Sequence, residues 1–176
     1  LDAYGRRACA GLDCLSNKGV MLARIAMPGV PAPIDIYNTH MNSRGASGVS
    51  AARDGEAHAR QAIAASEFIA RTQDVTAPLI FGGDFNMRHS EDRWAGFSEY
   101  HPLTLVHEVC VDSTSGCEVK MSWDGDAPWM DTQDLQFFAD GEKLTVRPVR
   151  VEALFDGGAS GAQLSDHDGF LVTYEL

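Results

Sequence analysis

Residues 34–39 (IDIYNT) set Ile34, Ile36 and Asn38 against Asp35, Tyr37 and Thr39, the period-two alternation of a half-buried strand. The apolar run 20–26 (VMLARIA) precedes it across the turn formers of MPGVPAP, so the two predict an antiparallel hairpin with a longer loop. NSRGASGVS (42–50) is poor in apolar residues and predicts a surface loop. From about Ala51 to Thr72 the period changes. Ala59, Ala62, Ile63, Ser66, Ile69 and Ala70 recur at helical spacing and leave Arg60, Gln61, Glu67 and Arg71 toward solvent.

PLIFGG then predicts a short apolar strand ended by a double glycine, with a brief helix around Asp92–Glu99 and a strand near Leu103–Val109. Residues 134–138 (DLQFF), the turn ADGEK and 144–151 (LTVRPVRV) predict another hairpin, its second arm an edge strand or bulged at Pro148. A Gly-rich loop leads to a last strand, Phe170–Glu175. Strands dominate, with one strong helix, so the class is α/β or α+β with helices outside sheets.

Polar clusters fall at the strand ends, where a rigid sheet can aim side chains at one point. They are residues 38–42 (NTHMN), 82–86 (GGDFN), Gln133-Asp134-Leu135 and 165–168 (SDHD). Any one alone reads as turn chemistry or a structural histidine. Together they supply two histidines, several carboxylates and an amide, the groups that attack on a phosphodiester requires. The oxygen ligands suit Mg²⁺, with Mn²⁺ or Ca²⁺ possible, rather than zinc. The glycines before Asp84 predict a sharp turn that leaves Asp84 and Asn86, two apart on an extended segment, on one side.

The strings IDIYNTHMN (34–42), PLIFGGDFNMR (78–88), TQDLQFF (132–138) and LSDHDGFLVTYEL (164–176), in that order, resemble the endonuclease/exonuclease/phosphatase superfamily of metal-dependent phosphoesterases. That superfamily includes deoxyribonucleases, abasic-site endonucleases, neutral sphingomyelinases and inositol polyphosphate phosphatases. KGVMLARI (18–25) resembles the sphingomyelinase-like branch more than the nucleases. The resemblance implies two packed, mostly antiparallel sheets flanked by helices, a four-layer sandwich, and hydrolysis of a phosphodiester by in-line attack of water.

It further implies that His40 stabilises the pentacovalent phosphate or protonates the leaving group, and that Asp84 and Asn86 orient the water and bind the phosphate. Asp166 resembles the metal-ligand carboxylate, and His167 the general base or phosphate-contacting histidine. Asp134, with Asp131 as its rival, takes the place of the aspartate that fixes that histidine. Asn42, Arg44 and Arg88, in the loops just after His40 and Asn86, are the candidate substrate contacts; isolated arginines also serve surface solubility. The superfamily's leading strands, one bearing an asparagine and one ending in Gln-Glu with the main Mg²⁺ ligand, have no counterpart before His40. Together with the non-Met start, this makes residues 1–176 resemble the C-terminal two-thirds of such a domain. A phosphomonoesterase, or an inactive interaction domain on the same scaffold, are the alternatives.

Composition narrows the partners. A net charge of −11 over 176 residues argues against a partner held by broad phosphate neutralisation, so stable duplex binding is not expected. A phospholipid headgroup or small phosphodiester is preferred over abasic DNA, nucleic acid remaining a candidate substrate. No apolar run approaches the roughly 18 residues of a membrane span. Cys9 and Cys14, and Cys110 and Cys117, form two local pairs in Gly- and Ser-containing loops. Two disulfides would imply an extracytoplasmic, oxidising compartment; reduced cytosolic cysteines or zinc are the alternatives. Trp123, Trp129 and Met130 cluster in SWDGDAPWMD, either packed on their own domain or at the site mouth against lipid or base.

Overall fold

The structure is a computed structural model that describes residues 1–5, 7–122, 128–155 and 165–176. Trp123 and most of the Gly-rich loop before Ser165 lie outside the described residues. The strands are β1 (Asp2–Ala3), β2 (Gly19–Ile25), β3 (Ile34–His40), β4 (Leu79–Asp84), β5 (Thr104–Leu105), β6 (Glu118–Lys120), β7 (Asp134–Ala139), β8 (Arg147–Leu154) and β9 (Gly169–Glu175). The α-helices are α1 (Ala51–Thr72), α2 (Glu91–Ser98) and α3 (Val106–Val111). A six-stranded mixed sheet runs β1-β2-β3-β4-β7-β5, and a three-stranded sheet runs β6-β8-β9. The α/β class, with helices outside two sheets, is as the sequence predicts.

The hairpin of β2 and β3 forms in antiparallel register, Val20 opposite Thr39 and Ile25 opposite Ile34. β3 and β4 are parallel, which requires a long crossover, and α1 supplies it. One face of the six-stranded sheet carries Val20, Tyr37, Leu79, Phe81 and Phe137, all buried against Ala62, Ala65, Phe68 and Ile69 of α1 and Phe97 of α2. The buried stripe of α1 is Asp54, Ala57, His58, Gln61, Ala62, Ala65, Phe68 and Ile69, rotated from the predicted one. Gln61, expected in solvent, is fully buried because its amide is consumed by the backbone, accepting from Asn42 N (2.6 Å) and donating to Ala8 O (2.6 Å).

Two local expectations fail. Residues 134–139 and 144–151 do not form a hairpin. β7 already has β4 on one side and β5 on the other, so it offers no free edge, and β8 crosses to the second sheet to pair with β6 and β9. There the pairing slips between Pro148 and Arg150, the bulge that a proline in a strand demands. The stretch 103–109 is a strand only at Thr104–Leu105; from Val106 it is helical, because Val106 and Cys110, four apart, bury together beneath the second sheet. Cys110 therefore sits on a helix rather than in a loop. Both cysteine pairs are bonded, Cys9–Cys14 and Cys110–Cys117. Among the described residues no helix is long and apolar enough to cross a membrane.

Candidate active site

Register builds the site. His40 ends β3 opposite Asp84 of β4, and Asp84 is opposite Asp134 of β7. These three residues therefore stand in one row across three adjacent strands. Each shares the parity of Ile36, Ile80 and Gln136, so the row lies on the sheet face away from α1. The row is tied together. His40 Nε2 lies 3.4 Å from Asp84 Oδ2, and His167 Nδ1 lies 2.7 Å from Asp134 Oδ2. Asp131, the rival of Asp134, borders a neighbouring cavity but does not hold that bond.

Close approach of strands explains a glycine. At Gly83, φ is +144° and a Cβ would stand 2.0 Å from Thr39 O. The expected sharp turn is thus corrected: the strand runs on through Asp84. The turn comes at Asn86, whose φ of 51° ends the extended backbone. Asp84 Oδ1 accepts from Asn86 N (2.9 Å), and Asn86 Nδ2 donates to Met41 O (3.0 Å). Asn86 borders the cavity, but its amide nitrogen is spent on holding the two loops together.

An open cavity of about 670 Å³ is lined by His40, Arg44, Asp84, Asn86, Asp134, Asp166 and His167, with Ser43 beside them. Arg88 lies on the flank, in a second cavity of about 330 Å³ that shares Asp134, Asp166 and His167. Asn42 does not belong to either. It is fully buried, its Oδ1 accepting from Ala10 N (3.1 Å) and its Nδ2 donating to Ser43 O (2.9 Å), so as a substrate contact it is corrected to a loop anchor.

Burial raises the Asp134 carboxyl above its ordinary value despite the His167 bond, and the Asp84 charge adds to the rise. For His167, burial opposes protonation, but the bond and charge of Asp134, with Asp84 and Asp166, outweigh it and raise the imidazole. A protonated His167 clamped on Asp134 can contact or protonate a phosphoryl oxygen. Asp84, fixed from Asn86 N, can orient a water.

Magnesium fits this set poorly. Asp84 and Asp134 are committed to His40 and His167, and among the described residues Asp166 accepts a hydrogen bond only from Ser165 Oγ, at 3.3 Å. Among the described residues no three acidic, histidine or cysteine side chains are grouped to hold a metal ion. Asp166 as a metal ligand therefore lacks companions here.

Two residues escaped the sequence reading. Arg93 of α2 is buried and donates to Asn42 O (2.6 Å), Asn86 O (3.0 Å) and Ser43 O (3.4 Å), stapling the loops that follow β3 and β4. Burial lowers its guanidinium to about 10. Its spacing of four from Phe97, on the buried face of α2, is the signal that could have found it. Ser43 lines the cavity with a buried hydroxyl that has no hydrogen-bond partner among the described residues, and nothing in a loop serine advertises that. Trp129 is buried and stacks on Trp94 at 4.4 Å, so of the two readings it takes that of a residue packed on its own domain.

No family model matches the sequence, and no curated protein does. Solved structures match the fold. D. rerio TDP2 complexed with single-strand DNA product gives a TM-score of 0.64 at 16% identity, over 91% of this chain and 62% of that one. Sphingomyelinase C from Streptomyces griseocarneus gives 0.56 at 17%, over 95% and 57%. A Staphylococcus aureus beta toxin mutant with bound magnesium ions gives 0.55 at 14%, over 95% and 57%. The chain spans about three-fifths of the length of these structures. At such identities the likeness shows the fold, that of endonuclease/exonuclease/phosphatase proteins.

Proposed function

We propose that these residues form the phosphate-reacting part of a phosphodiester hydrolase that works by in-line attack of water on phosphorus. The observation that carries this reading is the row His40–Asp84–Asp134, closed by His167 on Asp134 and opening on one cavity with Arg44. Asp84 orients the attacking water and takes its proton. His167, whose imidazole the bond and charge of Asp134 raise against burial, faces the phosphoryl oxygens, and that rise favours this role over general base. His40, more than half exposed at the cavity rim, protonates the leaving oxygen. Arg44 meets the phosphate charge.

The charges do not balance without help. Among the described residues that line the cavity, Arg44 carries the only fixed positive charge against Asp84, Asp134 and Asp166. An anionic ester needs a further cation there, and these residues alone do not hold one; turnover by residues 1–176 is accordingly weak. The same shortage favours a second reading, an inactive interaction domain on the same scaffold. Two bonded cysteine pairs support an extracytoplasmic setting. A net charge of −11 supports a headgroup-type or small diester over tightly held duplex.

The test is hydrolysis of bis(4-nitrophenyl) phosphate and 4-nitrophenyl phosphate with Mg²⁺, Mn²⁺, Ca²⁺ or chelator. Slow diester turnover, lowered about 10²-fold or more by Asp84→Asn and by His167→Ala, is expected. Turnover untouched by both substitutions would sink the reading, and faster cleavage of the monoester would move the substrate class.

A further inference from the structure

The loop that brings Ser43 and Arg44 to the cavity is held from two sides. On the helix side Arg93 binds its carbonyls, and Asp54 accepts from Gly45 N (3.3 Å) and from the Ser47 hydroxyl. On the other side stands the short 3-10 helix Gly11–Leu15, closed on itself by the Cys9–Cys14 bond. Its contacts run along the whole loop. Ala10 N donates to Asn42 Oδ1 (3.1 Å), Leu12 N donates to Ser47 O (2.8 Å), and the Asp13 carboxylate accepts from Ser43 N. Lys18 Nζ pairs with Asp13 at 3.2 Å and donates to Met41 O at 2.7 Å. The approach is close enough to dictate a residue: at Gly11, φ +55°, a Cβ would stand 1.8 Å from Ser47 O.

We propose that this disulfide-closed segment is a brace for the phosphate-binding loop, with Asp13 as its positioning residue, and that it sets the site's affinity for a phosphate ester rather than the stability of the fold. The inference rests on the phosphodiester reading of the site. A loop of Gly, Ser and Ala that must order itself around a ligand loses affinity on the order of tenfold for each residue fixed. Here the fixing is done beforehand, since Asp13 holds the Ser43 amide and Ala10 and Leu12 hold the residues on either side. The covalent ring in turn limits where Asp13 can go. Burial works against the Asp13 charge, yet the Ser43 amide and Lys18 outweigh it and hold the carboxyl below its usual range.

The experiment titrates the 176-residue chain with inorganic phosphate and follows the Ser43 and Arg44 amides by NMR, with hydrogen exchange at those amides and at Tyr37 and Phe81. Asp13→Ala is expected to weaken phosphate about tenfold and to speed Ser43 exchange at least as much, with Tyr37 and Phe81 unchanged. Asp13→Asn, which keeps an acceptor oxygen, restores most of the affinity, and the double change Cys9→Ser, Cys14→Ser gives an intermediate loss. If Asp13→Ala binds phosphate like the parent while Arg44→Ala does not, the brace is refuted and the phosphate site stands. Loss of protection throughout the core in Asp13→Ala also refutes it, by making the segment a general stability element. No phosphate response in the parent chain refutes both this inference and the reading beneath it.

Discussion

The two faces of the six-stranded sheet are built from the same strands and do opposite work. On the helix side Tyr37, Leu79, Phe81 and Phe137 are fully or almost fully buried, with Tyr37 edge-on to Phe81 and Phe81 edge-on to Phe85. On the other side Met21 is 49% and Ile25 42% exposed, and Ile36 and Ile80 are half-buried. The second sheet covers that side only toward β7, where Tyr174 donates to Gln136 Oε1 at 3.2 Å and its ring meets Phe138 at 6.0 Å. A space of about 540 Å³ remains between Ile36 and Ile80 on one side and Phe170 and Val172 on the other. The fold is thus fixed from the helix side. The open side has the freedom to carry a row of ionisable groups at its end, because water and a ligand can reach them.

The largest expected consequence is in acid. His58 and His101 sit on the helix side, each 96% buried or more, bonded to Phe85 O and Ala62 O at 2.8 Å. Burial, with the Arg93 charge beside His58, lowers them to about 3 and about 4. The unfolded chain then binds more protons than the folded one below pH 6.5, so stability falls as pH drops. These two groups contribute a slope near 2.7 kcal/mol per pH unit, or about 5 kcal/mol lost between pH 6.5 and 4.5, and His107, fully buried on α3 and lowered by burial to about 4, adds roughly half as much again. Urea unfolding across that range measures it. His58→Gln and His101→Gln together should reduce the slope to roughly a third, the part left to His107; an unchanged slope would mean that neither histidine is neutral in the fold.

Next in size is truncation on the two faces. Phe81→Ala should cost about 3–5 kcal/mol, since a buried ring leaves a cavity that its aromatic neighbours cannot close. Ile80→Ala, one residue along and facing the partly open side, should cost about 1–2 kcal/mol by the area it still exposes. Equal losses in urea unfolding would show that the second face is as well packed as the first, and the contrast between them would go.

How much of this was legible follows the same division. Strong periodicities gave β2, β3, α1, β4 and β9 nearly to the residue, because alternation and helical spacing report burial on one side. Where a segment's neighbour lay far off in sequence, the reading failed. Nothing within 134–151 says that β7 is already flanked by β4 and β5, so an ordinary turn suggested a hairpin. VHEVCV alternates well enough for a strand, and only packing beneath β8 and β9 makes it helical. At the site, the motif residues at strand ends could be named, and the resemblance already implied that Asp134 or its rival Asp131 fixes His167; that Asp134 makes the bond follows from a register the sequence does not state. Asn42 shows the converse: a polar residue beside a motif histidine reads as a ligand contact, but its side chain is held by two backbone groups, Ala10 N and Ser43 O, and by the Asp54 carboxylate. Arg93 and Ser43 stay hidden because arginine and serine are mostly exposed, so in a helix or a loop they read as surface residues.

The smallest effect is the sharpest test of the difference between faces, because its sign is reversed. His167 stands on the open side, a third exposed, and is raised rather than lowered; burial opposes the proton, and the Asp134 bond and charge with Asp84 and Asp166 prevail. A histidine whose folded value lies above its unfolded 6.5 contributes stability that is complete below pH 6.5 and is lost as pH rises through the folded value. Its contribution therefore opposes that of His58 and His101, and with this much water around it the energy is too small to see in unfolding curves. Proton NMR of the imidazole carbons sees it directly. In the parent chain His167 should titrate above 6.5 while His58 and His101 stay neutral down to the acid transition. Asp134→Asn removes the charge but not the side chain, so His167 should move back toward 6.5 and Phe81 packing should be unaffected. If His167 titrates alike in both proteins, Asp134 does not hold its proton, and the protonated histidine assigned to the phosphoryl oxygens loses its physical basis.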